Sequence, residues 1–221
     1  MRLDELTWAC QLFGELAGVD TASADLNQAT SGRVDLADPV HAKALLVWLN
    51  KWGCRQFAIA GHAEAAAMLA DWGSVWMTRL PRPRESLSNL RPRRLETVAD
   101  AYDDVRQRAA SHRGASTVTV GATGAAKLLH ALRPRVLPPW DAPIRAALSL
   151  DGGRDSYLAY LLDVQEQVRG IEQEAAARGI DAKDIPKTLG RPTSSLPKMI
   201  DEYYWITLTR GIAIPRGEQP T

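Results

Sequence analysis

Residues 121–148, with the sequence GATGAAKLLHALRPRVLPPWDAPIRAAL, concentrate side chains and turns that could do chemistry. Gly121 and Gly124 bracket a short turn, and glycine lets a partner approach the backbone closely. Such a turn at a helix N-terminus points unpaired N–H groups outward, which favours phosphate. Lys127 follows one helical turn later. The pattern fits a plain helix start, with Thr123 as its cap, or a phosphate-binding turn.

A carboxylate ends the same stretch. Pro138 and Pro139 hold an extended backbone, and Asp141 then occupies a helix cap position with Pro143 in the first turn. A structural cap needs no chemistry. However, helix N–H donors and the helix dipole also keep a carboxylate ionised there, so that it could stabilise a cationic transition state or activate a water. Trp140, beside it, could wall a pocket or stack on a base.

Amphipathic helices must position these residues. Apolar residues at helical spacing predict helices over 4–18, 39–52, 62–72, 93–110, 154–178 and 193–210. Residues 19–37 are small and polar, which predicts a loop. Few segments alternate with period two, so we expect an all-α fold of about eight to ten helices without a substantial sheet.

Length and composition fit one large domain or two small ones, since the chain has 221 residues and 45% hydrophobic residues. The proline- and arginine-rich segment near 79–94 is a candidate division between lobes 1–90 and 91–221. The formal net charge of +1 gives no general attraction to a polyanion. Any preference for nucleic acid must therefore come from how charge is distributed.

Residues 117–148 resemble the helix-hairpin-helix DNA glycosylase superfamily. In that family a glycine-containing hairpin precedes a helix, and a short extended segment, often with proline, delivers an aspartate to the start of the next helix. VTVGATGAAKLLHAL is similar to the hairpin and its second helix, and VLPPWDAPIR to the segment with the catalytic aspartate, which falls on Asp141. The resemblance implies that 1–221 is a single glycosylase-like unit, a two-lobed helical bundle.

The resemblance also implies an activity. Such an enzyme flips a nucleotide out of double-stranded DNA and hydrolyses the N-glycosidic bond, which leaves an abasic site. Asp141 would stabilise positive charge near C1′ and orient water. The candidate base pocket consists of Trp140 and His130. The candidate phosphate contacts of the hairpin are Gly121, Ala122, Thr123, Gly124 and Lys127.

The stretch departs from the family pattern at three points. Ala122 and Thr123 stand where a single hydrophobic residue usually separates the two glycines, and the link to Asp141 is a few residues short. Lyase-active members carry a lysine where this chain has Gly124, and Lys127 comes about one turn later. We therefore expect a monofunctional hydrolase that forms no Schiff base. The alternative is that Lys127 acts as a nucleophile.

The number of cysteines bears on whether a cofactor is bound, and the first residues bear on the cellular compartment. The chain has only two cysteines, so the iron–sulfur cluster of some relatives is not expected, nor is a metal or other cofactor. Asp4 and Glu5 stand where a signal peptide would be basic and then apolar. No apolar run approaches the ~20 residues that cross a bilayer. We expect a cytoplasmic monomer without membrane contact.

Arginines crowd the proline-rich segment near 79–94, where only Glu85 opposes them. They could contact backbone phosphates, or the segment could be a solvated linker. The candidate DNA contacts are Arg84, Arg91, Arg93 and Arg94.

Tryptophans at helix-like spacings elsewhere are expected in the core. These are Trp48, Trp52, Trp72 and Trp76.

Four functions remain open. The first is excision of a phage hypermodified base such as glucosylated cytosine, as an antiviral defence. The second is repair of an oxidised or alkylated base. The third is a non-catalytic DNA-binding protein in which Asp141 serves only as a cap. The fourth is an interaction protein in which the hairpin pattern is accidental.

Overall fold

The computed structural model describes residues 1–17 and 20–215, and most of them are helical. The α-helices are α1 (Leu3–Ala17), α2 (Thr21–Thr30), α3 (Pro39–Lys51), α4 (His62–Trp76), α5 (Pro92–Gln107), α6 (Gly121–Leu132), α7 (Ala142–Ala147), α8 (Arg154–Ala177), α9 (Ile185–Thr188) and α10 (Leu196–Tyr204). α10 continues into a π-helical turn, Trp205–Thr209. The prediction of a mostly helical protein is confirmed.

The sheet is a single antiparallel hairpin of β1 (Ala109–Arg113) and β2 (Ser116–Thr119) within the described residues. It joins α5 to α6 and ends the helix predicted over 93–110 at Gln107. Short 3₁₀ turns lie at Ile59–Gly61, Leu87–Asn89 and Ala182–Asp184. The glycine turn at 121 therefore follows a β-strand rather than another helix.

The loop predicted over residues 19–37 is wrong where the structure has α2; residues 18 and 19 lie outside the described part. Asp20 caps α2, since its carboxylate accepts hydrogen bonds from the Ser23 N–H at 3.0 Å and the Ser23 hydroxyl at 2.6 Å. Trp48 donates its indole N–H to the same hydroxyl at 3.0 Å. Leu26 is buried. A cap and a few apolar contacts stabilise a helix whose composition is typical of a loop.

One hydrophobic core runs through the protein. α1 packs against α8 and α10 near the other end of the chain, and α3 packs against α6. α5 packs against both α6 and α8. The core is therefore shared across the lobe boundary predicted near residue 90.

Of the four tryptophans expected in the core, Trp48 and Trp72 are buried, while Trp52 and Trp76 are partly exposed. The two cysteines are buried free thiols. Within the described residues, no helix is long and apolar enough to span a bilayer. Nor, in that part of the chain, does any group of three or more metal-ligating side chains come together.

Candidate active site

The glycine turn starts α6 directly. Gly121 is the first helical residue and has φ +67°, which glycine adopts without strain. Val120 precedes it, and no side chain caps the helix. Thr123 lies inside the first turn, so its prediction as the cap is wrong. Its hydroxyl instead accepts a hydrogen bond from Arg145 at 2.9 Å. The N–H groups at the start of α6 lack a side-chain acceptor.

Gly124 has a packing role. It is buried, and a Cβ there would collide with the side-chain nitrogen of Gln56. That nitrogen donates to the Val120 carbonyl at 2.6 Å. Gln56 thus ties the start of α6 to the segment after α3, and the missing side chain of Gly124 makes room for it. The predicted phosphate contact at Gly124 concerns its backbone only.

A cation lies beside the uncapped start of α6. The Arg145 guanidinium, on α7, donates to Thr123 and lies 5.4 Å from the centre of the Trp140 ring. Burial lowers the pKa of this group, and the nearby charge of Asp141 opposes that shift. Among the described residues, no carboxylate lies within salt-bridge distance of Arg145. A partly buried cation at a helix N-terminus is electrostatically unfavourable unless an anion joins it.

The segment before Asp141 is fixed by packing. Residues 136–140 are buried, and the Tyr160 hydroxyl donates to the Pro139 carbonyl at 3.0 Å. Trp140 is fully buried and donates its indole N–H to the Ala122 carbonyl at 3.3 Å. Its ring centroid lies 5.0–6.0 Å from those of three tyrosines. These are Tyr102, Tyr157 and Tyr160. The span to Asp141 is therefore rigid.

Asp141 caps α7 as predicted. Its Oδ1 accepts the Ile144 N–H at 3.0 Å, and its backbone is extended. The residue is partly exposed, in contrast to the buried residues before it. A rigid buried segment thus delivers one carboxylate to solvent at a helix N-terminus, near the start of α6 and Arg145. Such a carboxylate can act electrostatically on a bound substrate.

The predicted base-pocket residues are interior. Trp140 is fully buried, and His130 is 7% exposed. The His130 ring stacks on Trp52 with centroids 5.7 Å apart, and its Nδ1 donates to the Leu137 carbonyl at 2.9 Å. A base cannot touch either side chain in this conformation. Their role in a base pocket stays a prediction that requires the site to open.

His130 should make stability depend on pH. Burial lowers its pKa to about 4, although the hydrogen bond to Leu137 opposes the shift. In the unfolded chain this imidazole takes up a proton near pH 6.5. Between pH 6.5 and 4 the unfolded chain therefore binds more protons than the folded protein. The stabilisation is complete above pH 6.5 and decreases toward pH 4, by up to about 3 kcal/mol. Chemical denaturation across this range should show a weaker pH dependence for His130→Gln, and an unchanged one for the exposed control His112→Gln.

Lys127 contacts Trp52. Its ammonium donates to the Trp52 carbonyl at 2.5 Å and lies 5.7 Å from the centre of that ring. Both contacts hold the lysine against the end of α3. The side chain is only partly exposed. This placement suits a role in packing α6 against α3.

The predicted arginine contacts lie at the other end of α6. Arg133, at the C-terminus of that helix, is buried and donates to the carbonyls of Pro81 and Met77. The 12-residue helix is about 18 Å long, which separates this loop from Gly121. Arg84, Arg91 and Arg93 are exposed. Arg94 instead donates to the carbonyls of Arg79 and Leu80, so it holds the loop in place.

A charged cluster on α10 was missed by the sequence reasoning. Lys198 lies 2.8 Å from the carboxylate of Asp201 and 3.5 Å from that of Glu202. Arg191 lies 2.6 Å from Glu202. Burial raises the pKa of Asp201, and the charge of Lys198 and its hydrogen bond to Asp201 oppose that shift. Spacings of three and four residues are typical of surface pairs, so nothing in the sequence indicated burial.

Comparison with protein-family models, with curated proteins and with solved structures finds no match to this chain. The glycosylase resemblance therefore rests on residues 117–148. The structure adds the arrangement of α6, the buried segment and α7. Function has to be inferred from that geometry.

Proposed function

We propose that this chain is a monofunctional DNA glycosylase that flips a modified base out of double-stranded DNA and hydrolyses its N-glycosidic bond. One observation carries the proposal: Asp141 is a partly exposed carboxylate at the start of α7, held by a buried rigid segment beside the uncapped N-terminus of α6. The resemblance of residues 117–148 to helix-hairpin-helix glycosylases supports the same reading.

The chemistry requires a fixed negative charge. As the N-glycosidic bond lengthens, positive charge grows on the sugar and a carboxylate close to C1′ stabilises it. Asp141 supplies this charge, and its free oxygen can orient water, since Oδ1 accepts the Ile144 N–H. Because the preceding segment is buried, the carboxylate needs little reorganisation during the reaction.

DNA binding is proposed to centre on the start of α6. Its N–H groups and the Arg145 guanidinium converge beside Thr123. A phosphate next to the flipped nucleotide would neutralise Arg145 and accept hydrogen bonds from the helix. The exposed side chains of Arg84, Arg91 and Arg93 would then contact the backbone farther along the duplex.

A panel of duplexes tests the activity. The protein is incubated with DNA that carries oxidised, alkylated or glucosylated bases, and alkali-labile abasic sites are counted. We expect cleavage after alkali on at least one class. Absence of sites on every class, phage-type glucosylated cytosine included, would contradict the proposal. Protection of cells against phages with modified genomes, but not against phages with plain DNA, would assign the antiviral role rather than repair.

Lys127 should be dispensable for the chemistry. Its ammonium contacts the Trp52 carbonyl, so we expect Lys127→Met to keep base release within about tenfold of the wild type, and borohydride to trap no covalent DNA adduct. The readouts are single-turnover base release and gel mobility after borohydride. An adduct in the wild type that Lys127→Met abolishes would establish a Schiff base on Lys127 and rule out the monofunctional assignment.

The exposed arginines should set the salt dependence of DNA binding. We expect the combined change of Arg84, Arg91 and Arg93 to Gln to reduce the slope of log affinity against log salt by up to about 3. Fluorescence anisotropy with an unmodified duplex measures the slope. A control with three exposed cations elsewhere changed to Gln should alter it less. These are Arg2, Lys183 and Lys187. Equal slopes for both triple variants would show that the arginine-rich loop does not contact the DNA.

A non-catalytic DNA-binding protein is the second candidate. The bond from Asp141 to the Ile144 N–H accounts for this residue as a cap alone, and Trp140 is closed off from solvent. Such a protein would show salt-dependent duplex binding without release of any base. Base release and DNA affinity measured on one protein preparation separate the two candidates. An interaction protein with an accidental hairpin would bind no DNA even at low salt.

A further inference from the structure

The β-hairpin of β1 and β2 extends from the end of α6 that carries the glycine turn. Its tip, residues 112–117, is exposed throughout, whereas Ala110 and Ser111 before it and Val120 after it are buried. The exposed part therefore has three residues in each strand. At a rise of about 3.3 Å per residue, it projects about 10 Å beyond the buried base of the β-hairpin.

Hydrogen bonds fix the base of the β-hairpin. The Ser111 hydroxyl donates to the Gln56 carbonyl at 2.6 Å, and the Gln56 side chain donates to the Val120 carbonyl, also at 2.6 Å. Val120 directly precedes α6, whose first turn holds Arg145 of α7 through Thr123. The β-hairpin is thus a rigid extension of the candidate site.

The chain segments that build this surface lack carboxylates. No Asp or Glu occurs from residue 105 to 140, or from residue 39 to 63, which includes the segment that holds Ser111. The exposed side chains of these two segments include those of Arg55, His112 and Arg113. Cationic side chains without acidic neighbours in sequence favour a polyanion such as nucleic acid.

Both faces of the β-hairpin carry groups that can hydrogen-bond to base edges. Arg113 pairs with Ser116, and His112 pairs with Thr117. Paired residues project on the same face of a ribbon, and successive residues project on opposite faces. One face therefore carries a guanidinium and a hydroxyl, and the other carries an imidazole and a hydroxyl. Residues 114–115 at the turn are glycine and alanine, so the tip is narrow.

The dimensions of the β-hairpin decide which groove of DNA it fits. Neighbouring strands lie about 4.8 Å apart, so a ribbon with its side chains is wider than the minor groove, which is about 6 Å across. The major groove is about 12 Å wide and about 8.5 Å deep, and it admits a two-stranded ribbon. A projection of about 10 Å reaches the floor of that groove. A phosphate at the start of α6 would belong to the backbone that borders it.

We propose that the tip of the β-hairpin enters the major groove of duplex DNA and contacts base edges there. The proposal rests on the proposed function only in taking duplex DNA as the partner, since it applies equally to a protein that binds DNA without excising a base. Arg113 is the expected contact to guanine, because a guanidinium donates to O6 and N7 together.

Methylation protection with dimethyl sulfate tests which groove is occupied. The reagent methylates N7 of guanine in the major groove and N3 of adenine in the minor groove. The wild-type protein is bound to a short unmodified duplex that contains both bases, so the readout needs no base release. We expect bound protein to protect guanine N7. Unprotected guanine N7 on a saturated duplex would overturn the proposal, and protection of adenine N3 alone would place the protein in the minor groove.

A shortened β-hairpin tests which element gives the protection. Replacement of residues 112–117 by Asn-Gly closes the pair of Ser111 and Val118 with a two-residue turn that β-hairpins favour. This variant should lose the protection of guanine N7. Arg113→Gln should weaken duplex binding by about 5–150-fold, the loss expected for a base contact. Lys187→Gln, at an exposed cation of α9, is the control and should bind like the wild type.

Protection that persists in the shortened variant, or wild-type affinity of Arg113→Gln, would overturn the proposal. If the shortened variant does not fold, the double change of His112 and Arg113 to Gln, which keeps the length of the β-hairpin, decides instead. A protein that protects guanine N7 but releases no base from any duplex would contradict the glycosylase function and support the β-hairpin contact. A protein that binds no duplex even at low salt would contradict both.

Discussion

Asp141→Asn is expected to lower single-turnover base release by at least about 10²–10⁴-fold while the protein still binds the same duplex. Asparagine keeps the side-chain oxygen that accepts the Ile144 N–H, and it is as good a helix cap as aspartate. The fold and the position of the side chain should therefore persist. Only the charge that stabilises the cationic sugar is lost. Rapid-quench assays and fluorescence anisotropy measure the two effects separately.

Asp38 provides a matched control. It caps α3 through the N–H groups of Val40 and His41, with Pro39 at the first helical position, as Asp141 caps α7. Asp38→Asn makes the same chemical change at a cap without a proposed catalytic role, so base release should stay at the wild-type rate. Full activity of Asp141→Asn would show that Asp141 is a cap and nothing more.

Trp140→Ala is expected to destabilise the protein by about 3–5 kcal/mol, because it removes a fully buried ring. The indole packs against three tyrosine rings and donates to the Ala122 carbonyl, so the change opens a cavity and frees the start of α6. In a chain of this length the melting temperature should fall by roughly 6–20 °C. Differential scanning calorimetry measures the loss.

Trp76→Ala serves as comparison because that ring is partly exposed, although its N–H bonds to Asp104 at 2.6 Å. Trp76→Ala should destabilise the protein less than Trp140→Ala does. If Trp140 were an open stacking surface for a base, Trp140→Ala would leave the melting temperature nearly unchanged and weaken only the binding of modified DNA. That outcome would contradict the buried position described for this residue.

Local signals in the sequence predicted much of the fold. The caps at Asp38 and Asp141, each with a proline in the first turn, gave the starts of α3 and α7. Apolar spacing gave α5 and the long α8. α2 was missed because its ten residues contain few apolar ones, and its stability depends on Trp48 bonding to Ser23. That contact joins separate helices and leaves no local pattern.

The site was predictable only where one segment builds it. Asp141 and the start of α6 lie within a single stretch, so order and spacing pointed to them. The cluster of Lys198, Asp201 and Glu202 was missed because its spacing of three and four residues does not indicate burial. Trp140 looked like a pocket wall because it precedes the aspartate. Its burial depends on tyrosines of α5 and α8, which are distant in sequence, so no local pattern indicates the contact.

Base excision is proposed to depend on the carboxylate of Asp141. Mass spectrometry of the free base released from glucosylated, alkylated and oxidised duplexes, with wild type and Asp141→Asn in parallel, tests this dependence. We expect a free base from at least one duplex with the wild type, and none above background with Asp141→Asn. Equal release by both proteins, or duplex binding without release of any base by either, would contradict it.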